Sequence, residues 1–125
     1  MRILYFDDTE YWRDLYEKAF TEAGIEIKTL PDAQGDIAKS ASDFRPDLIL
    51  LDISMPAVSG FDAIKILKGD KRTKNIPVFF FSNISNPKYI RKGLELGAEK
   101  YLVKGNYKPE KMVRICLNFL KGRYF

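Results

Sequence analysis

The chain has 125 residues, 46% hydrophobic and 30% charged, a balance that predicts one globular domain over 1–125 with a single proper core. It has no histidine and one cysteine, Cys116, which excludes imidazole catalysis, histidine metal ligands and an internal disulfide. The net charge is +4, but Lys and Arg are scattered among acids, so direct nucleic-acid binding is not expected. Arg2 is followed almost at once by Asp7-Asp8, unlike a signal peptide, and no apolar run nears the roughly 18 residues of a membrane span. A cytoplasmic location without membrane contact is the expectation.

Strand-length apolar runs alternate with helix-period segments. Ile3 to Phe6 is the first predicted strand. Trp12, Leu15, Tyr16, Ala19, Phe20 and Ala23 then recur at helical spacing, and Gly24 ends the helix. A second strand runs around Ile25 to Leu30. A weaker helix carries Ile37, Ala41 and Phe44, with Pro46 as its stop. Leu48 to Leu51 is apolar on both faces, as a central parallel strand must be. Phe61, Ile64 and Leu67 mark a third helix, and Val78 to Phe81 a fourth strand. Asn86-Pro87 supplies an N-cap and a proline at the first helical position, opening a helix through Ile90 and Leu94 to Gly97. Tyr101 to Val103 is the fifth strand. Pro109 opens a last helix with Met112, Cys116, Phe119 and Leu120 on one face.

Five βα repeats predict an α/β fold: a doubly wound, five-stranded parallel sheet with helices on both faces. A closed eight-stranded barrel would need about twice the length. In open sheets of this kind, sites form at the carboxyl ends of the strands near the topological switch point.

Five chemically distinctive residues fall at those ends. Asp7 and Asp8 follow the first strand, Asp52 the third, Ser82 the fourth and Lys104 the fifth. Each alone has a plainer role as a helix cap, a turn residue or a solvated cation. Gathered together, three carboxylates repel: at about 4 Å and an effective dielectric of about 20, each pair costs on the order of 4 kcal/mol. Lys104 offsets part of this, and a hard divalent cation is required for the rest. All the ligands are oxygen, which suits Mg²⁺, an ion that keeps several waters and takes one or two carboxylates plus a phosphate oxygen. A carboxylate can also attack phosphorus to give an aspartyl phosphate. Lys104 and the metal then stabilise charge on the phosphoryl group, and the Ser82 hydroxyl can bond one of its oxygens.

With these residues in place, the chain resembles a receiver domain of two-component signalling, of the single-domain chemotaxis-regulator kind. The resemblance rests on Asp7-Asp8, on Asp52-Ile53-Ser54-Met55-Pro56 continuing to Gly60, on Ser82 after an apolar strand, and on Gly97-Ala98 leading to Tyr101 and Lys104. It covers essentially the whole chain. It implies a flavodoxin-like strand order 2-1-3-4-5 with five helices. It implies that Asp52 accepts a phosphoryl group from a histidine kinase or phosphotransfer protein. Asp8, Asp7, Asp52 and the backbone carbonyl of Ser54 would hold Mg²⁺, Asp8 more closely and Asp7 partly through water. Lys104 would pair with the phosphoryl group, Ser82 would move toward it, and Tyr101 would rotate inward. The surface from Pro87 to about Lys121, comprising helix four, strand five and helix five, would switch for a downstream protein target. Such a chain is a signalling switch, catalysing only its own phosphorylation and dephosphorylation.

Three positions depart from the family. Lys104 precedes Gly105, where most receivers have proline and commonly a cis bond. A non-proline cis bond costs roughly 2.5–4 kcal/mol, so a trans bond, a looser loop and a displaced Lys104 are expected. Asn83 stands where a small residue is usual and would crowd the approach to Asp52. Ile84 is apolar where many members are polar, which implies slow self-dephosphorylation by exclusion of water. The basic segment Lys88 to Lys92 reads as a solvated face, or as a docking or homodimer surface with Glu95 and Glu99. The Tyr124-Phe125 pair could pack back, bind a partner or mark a truncation. Rival functions remain: an interaction module that takes no phosphate, an aspartate-nucleophile phosphatase and a flavin protein. The phosphatase pattern has Asp-x-Asp after its first strand, whereas here the acids are adjacent. A flavin phosphate would be repelled by Asp7-Asp8.

Overall fold

The computed structural model describes residues 1–124, with side chains described through 122. The reading of Tyr124-Phe125 therefore rests on side chains outside the described residues. Five strands alternate with five helices: β1 (Arg2–Phe6), α1 (Glu10–Glu22), β2 (Glu26–Leu30), α2 (Ile37–Phe44), β3 (Leu48–Leu51), α3 (Gly60–Gly69), β4 (Val78–Ser82), α4 (Pro87–Glu95), β5 (Lys100–Val103) and α5 (Pro109–Tyr124). The strands are all parallel, in the order β2-β1-β3-β4-β5. This is the predicted doubly wound sheet.

Alternation along each strand builds two cores, because successive side chains point to opposite faces. Leu4, Phe6, Ile49, Leu51, Val78 and Phe80 meet Ile37 and Ala41 of α2 and Phe61, Ile64 and Leu67 of α3. Ile3, Tyr5, Leu48, Leu50, Phe79 and Phe81 meet Tyr16 and Phe20 of α1 and Met112, Cys116 and Leu120 of α5. The central strands β3 and β4 are wholly buried, whereas the edge strand β2 is at most half-buried, which explains their different sequence patterns.

Local chemistry sets the boundaries. Asn86 caps α4 by accepting the Lys88 N–H at 2.9 Å, with Pro87 at the start, as predicted. Asp36 caps α2 by accepting the Lys39 N–H. That helix ends at Arg45, a left-handed cap (φ 56°) whose N–H donates to the Ala41 carbonyl, and Pro46, which has no N–H to give, cannot continue the helix. Thr9 occupies the N-cap of α1 without a side-chain cap bond; the Asp7 carboxylate reaches its N–H instead.

The order 2-1-3 makes the switch point. From β1 the chain passes outward to β2 and then returns across to β3. The carboxyl ends of β1 and β3 are thus adjacent, with Phe6 opposite Leu51. Asp7 and Asp52 are the next residues on the two strands.

Candidate functional site

The strand ends meet in a cleft of 280 Å³ lined by Asp8, Thr9, Asp52, Ser54, Ser82, Asn83, Ile84 and Lys104. One carboxylate oxygen from each of Asp7, Asp8 and Asp52 lies within 4.8 Å of the other two. At that distance and an effective dielectric of about 20, each like-charge pair repels by about 3 kcal/mol. Lys104 supplies one positive charge against three negative ones. An oxygen-only trio with an excess of negative charge fits a hard divalent cation.

The three acids have different surroundings. Asp8 is exposed at the cleft mouth. Asp7 is fully buried, and its oxygens accept the Thr9 N–H (2.9 Å), the Tyr5 hydroxyl (2.5 Å) and the Lys104 ammonium (2.5 Å). Asp52 is buried, with Oδ1 taken by the Ile53 N–H at 2.8 Å. Its Oδ2 is approached by Lys104 at 3.3 Å. Burial holds the Asp52 carboxyl above its ordinary range; Lys104 opposes the rise and Asp7 adds to it. Burial, with Asp7 next, pushes the Tyr5 phenol far above its ordinary range, so it remains a protonated donor.

Lys104 corrects an expectation. The bond to Gly105 is trans, since there is no cis peptide among the described residues, but the loop is not loose and Lys104 is not displaced. Its N–H donates to the Ser82 carbonyl at 2.8 Å, continuing the β4–β5 ladder, and its side chain is 1% exposed on Asp7 and Asp52. Gly105 takes the turn at φ 82°, a conformation glycine adopts without a Cβ penalty. The ammonium also faces the rings of Trp12 (5.4 Å) and Phe81 (5.6 Å).

Ser82 is buried beside the cleft, and its Oγ accepts the Ile84 N–H at 3.2 Å. Asn83 borders the cleft but is exposed. Ile84 is half-buried against the core. Tyr101 already sits inward: its ring lies on Phe80, and its hydroxyl donates to the Ile84 carbonyl at 2.6 Å. The inward position expected only after phosphorylation is therefore occupied here. Burial raises its phenol above the ordinary value. Ser54 lies on the exposed rim.

The Lys88 to Lys92 segment forms the exposed face of α4. Lys88, Arg91 and Lys92 line a shallow surface depression with Glu95 and Leu96, and Lys92 also lies over the Phe61 ring at 4.6 Å. The sequence reading missed Tyr5, Thr9 and Trp12. Tyr5 could have been found from strand alternation, which puts it on the same side as Asp7, two residues on. Gly60 was read only as part of a motif. Here its N–H donates to the Ile53 carbonyl at 2.8 Å, and a Cβ on it would lie 2.1 Å from the Asp52 carbonyl oxygen.

A five-stranded parallel sheet carrying an acidic trio and a buried lysine at its strand ends defines a receiver fold and site. The family model for the response regulator receiver domain matches residues 3–116, and the chain belongs to that family. It is 38% identical over 103 residues to the response regulator PleD of Caulobacter vibrioides, a match covering 82% of this chain but 22% of PleD. The chain thus spans less than a quarter of that relative. The chemotaxis protein CheY4 of Vibrio cholerae superposes with a TM-score of 0.84 at 26% identity, over 94% of this chain and 96% of CheY4. The receiver domain of the sensor histidine kinase PA1611 from Pseudomonas aeruginosa, which has a magnesium ion in its active-site cleft, shares the fold. Its TM-score is 0.84 at 21% identity, over 96% of this chain and 97% of that one. Among the described residues, no helix is long and apolar enough to cross a membrane.

Proposed function

We propose that this chain, as one receiver unit, is a phosphorylation switch whose acceptor is Asp52. The observation that carries the reading is the asymmetry of that carboxylate. Its Oδ1 is held by the Ile53 N–H at 2.8 Å, while Oδ2 is approached by Lys104 at a longer 3.3 Å, and the residue borders the cleft. One oxygen is thereby oriented as a nucleophile and the other is tied down. The donor is a phosphohistidine of a histidine kinase or phosphotransfer protein. A P–O bond forms at Asp52 Oδ2 as the P–N bond breaks, and the imidazole leaves with the bonding electrons and takes up a proton.

Asp8, Asp7, Asp52 and the Ser54 carbonyl are the residues that would hold Mg²⁺. Bound there, the ion supplies charge neutralisation for the phosphoryl oxygens. Magnesium follows from the oxygen-only donor set, and the PA1611 receiver offers a parallel in fold. Asp7, saturated by three donors from the chain, suits contact with the ion through water, while exposed Asp8 suits direct contact. Lys104 neutralises a phosphoryl oxygen and the Ser82 hydroxyl donates to another. With Tyr101 already held on the Ile84 carbonyl, the turn of Ser82 toward the phosphoryl group shifts the faces of α4, β5 and α5 into the form read by a downstream protein. A cytoplasmic setting is part of this reading.

The test is intact mass after exposure to acetyl phosphate with and without Mg²⁺. A gain of one phosphoryl group that needs Mg²⁺ and disappears in Asp52→Asn is expected. A chain that stays unlabelled, yet binds its partner equally well, would be a phosphate-independent interaction module. Multiple turnover of a small phosphate ester would make it a phosphatase.

A further inference from the structure

This inference rests on the phosphoacceptor reading and concerns Tyr5, a residue outside the receiver motifs. The buried Asp7 Oδ2 accepts two donors at 2.5 Å, the Lys104 ammonium and the Tyr5 hydroxyl. The same ammonium lies 3.3 Å from Asp52. The resting lysine is thus seated on Asp7 rather than on the acceptor. To pair with a phosphoryl group on Asp52 Oδ2, it must lean out of that seat. Were Lys104 the sole donor, its departure would leave a fully buried carboxylate oxygen unpaired, which is strongly disfavoured.

We infer that the Tyr5 hydroxyl is a positioning residue for phosphoryl acceptance: it keeps Asp7 Oδ2 hydrogen-bonded while Lys104 turns toward Asp52. The surroundings suit that role. Tyr5 is fully buried, and its ring packs against one aromatic cluster, Tyr16 at 6.2 Å and Phe81 at 6.1 Å, themselves 4.8 Å apart, which fixes where the hydroxyl sits. Trp12 and Phe81 flank the ammonium and guide it without competing for its protons. Asp7 Oδ1 is fixed by the Thr9 N–H, so the carboxylate cannot rotate to relieve a loss at Oδ2.

The experiment compares the wild-type chain, Tyr5→Phe and Tyr16→Phe. Both variants keep the ring, and the Tyr16 ring packs on Tyr5, Trp12 and Phe81, so its substitution controls for loss of a buried hydroxyl in the same aromatic cluster. Mg²⁺ affinity is measured by calorimetry. Beryllofluoride affinity at saturating Mg²⁺ is then followed through the emission of Trp12, the sole tryptophan. Tyr5→Phe should weaken beryllofluoride binding by roughly ten- to a hundred-fold, the usual effect of removing a group that orients a ligand, and change Mg²⁺ affinity far less. Tyr16→Phe should change neither. Unchanged beryllofluoride affinity in Tyr5→Phe overturns the inference, and so does an equal loss of Mg²⁺ affinity, which would place Tyr5 on the metal alone. A wild type that binds Mg²⁺ but no beryllofluoride overturns the phosphoacceptor reading, and the inference with it. A wild-type measurement stands apart from any folding defect: the Tyr5 hydroxyl proton should stay protected from exchange when beryllofluoride is added, and its loss refutes the role.

Discussion

Replacing Gly60 with alanine puts a methyl group where the chain has no space for one. The added Cβ would lie 2.1 Å from the Asp52 carbonyl oxygen and 2.8 Å from the Ile53 Cα. Ordinary contact begins near 3.4 Å, so the start of α3 and the end of β3 must separate by about 1.3 Å. The obstructing atoms are backbone, so no side-chain rotation relieves the clash. The Gly60 N–H also donates to the Ile53 carbonyl at 2.8 Å, and this bond is stretched by the same movement. Overpacking usually costs 1–3 kcal/mol, and a rigid backbone obstacle puts this case at about 3 kcal/mol. For a domain of this size that lowers the midpoint of thermal unfolding by about 10 °C. Circular dichroism melts of Gly60→Ala against wild type measure it. Gly69→Ala is the control, since a Cβ there meets nothing within 4 Å and alanine favours the helix. The displaced segment contains Asp52, so Gly60→Ala should also lose beryllofluoride affinity. A Gly60→Ala midpoint within about 2 °C of wild type, a shift worth well under 1 kcal/mol, would refute the packing argument.

Asp52→Asn should stabilise the chain at neutral pH. The folded carboxyl sits above its ordinary value of 3.8, chiefly through burial, so its ionisation costs stability. That cost is absent below the unfolded value, grows as pH rises and is complete above the folded value. Urea unfolding should show the gain of Asp52→Asn at neutral pH and its disappearance in acid; a gain independent of pH would contradict the assignment. Ile84→Glu should shorten the lifetime of the phosphorylated form, because a half-buried apolar wall of the cleft becomes a group that orients water. A phosphate-release assay giving an equal or longer half-life would count against that. Cys116 is fully buried and its thiol is pushed up to about 12 by burial, so a disulfide reagent should label it only after unfolding. Rapid labelling of the native chain would contradict its place in the core.

The sequence determined by itself whatever depends on short-range pattern. Continuous apolar runs marked Ile3 to Phe6 and Val78 to Phe81, and helical spacing marked the stripe from Trp12; these lie in β1, β4 and α1, with Ala23 at the cap just past the helix. Asn86-Pro87 marked the start of α4 for the same reason: a cap bonds within its own turn. Strand ends could be named, so Asp7, Asp52, Ser82 and Lys104 could be gathered on one edge before any coordinates. Tertiary structure alone decided which atoms meet there. Asp7 and Lys104 are 97 positions apart, and their contact depends on the β4–β5 ladder carrying Lys104 inward despite Gly105. The Tyr5 hydroxyl on Asp7, the rings flanking Lys104 and the inward seat of Tyr101 arise in the same way. Spacing along a chain states the face on which a side chain starts. Where its polar tip ends is settled by packing against residues that the pattern never places beside it.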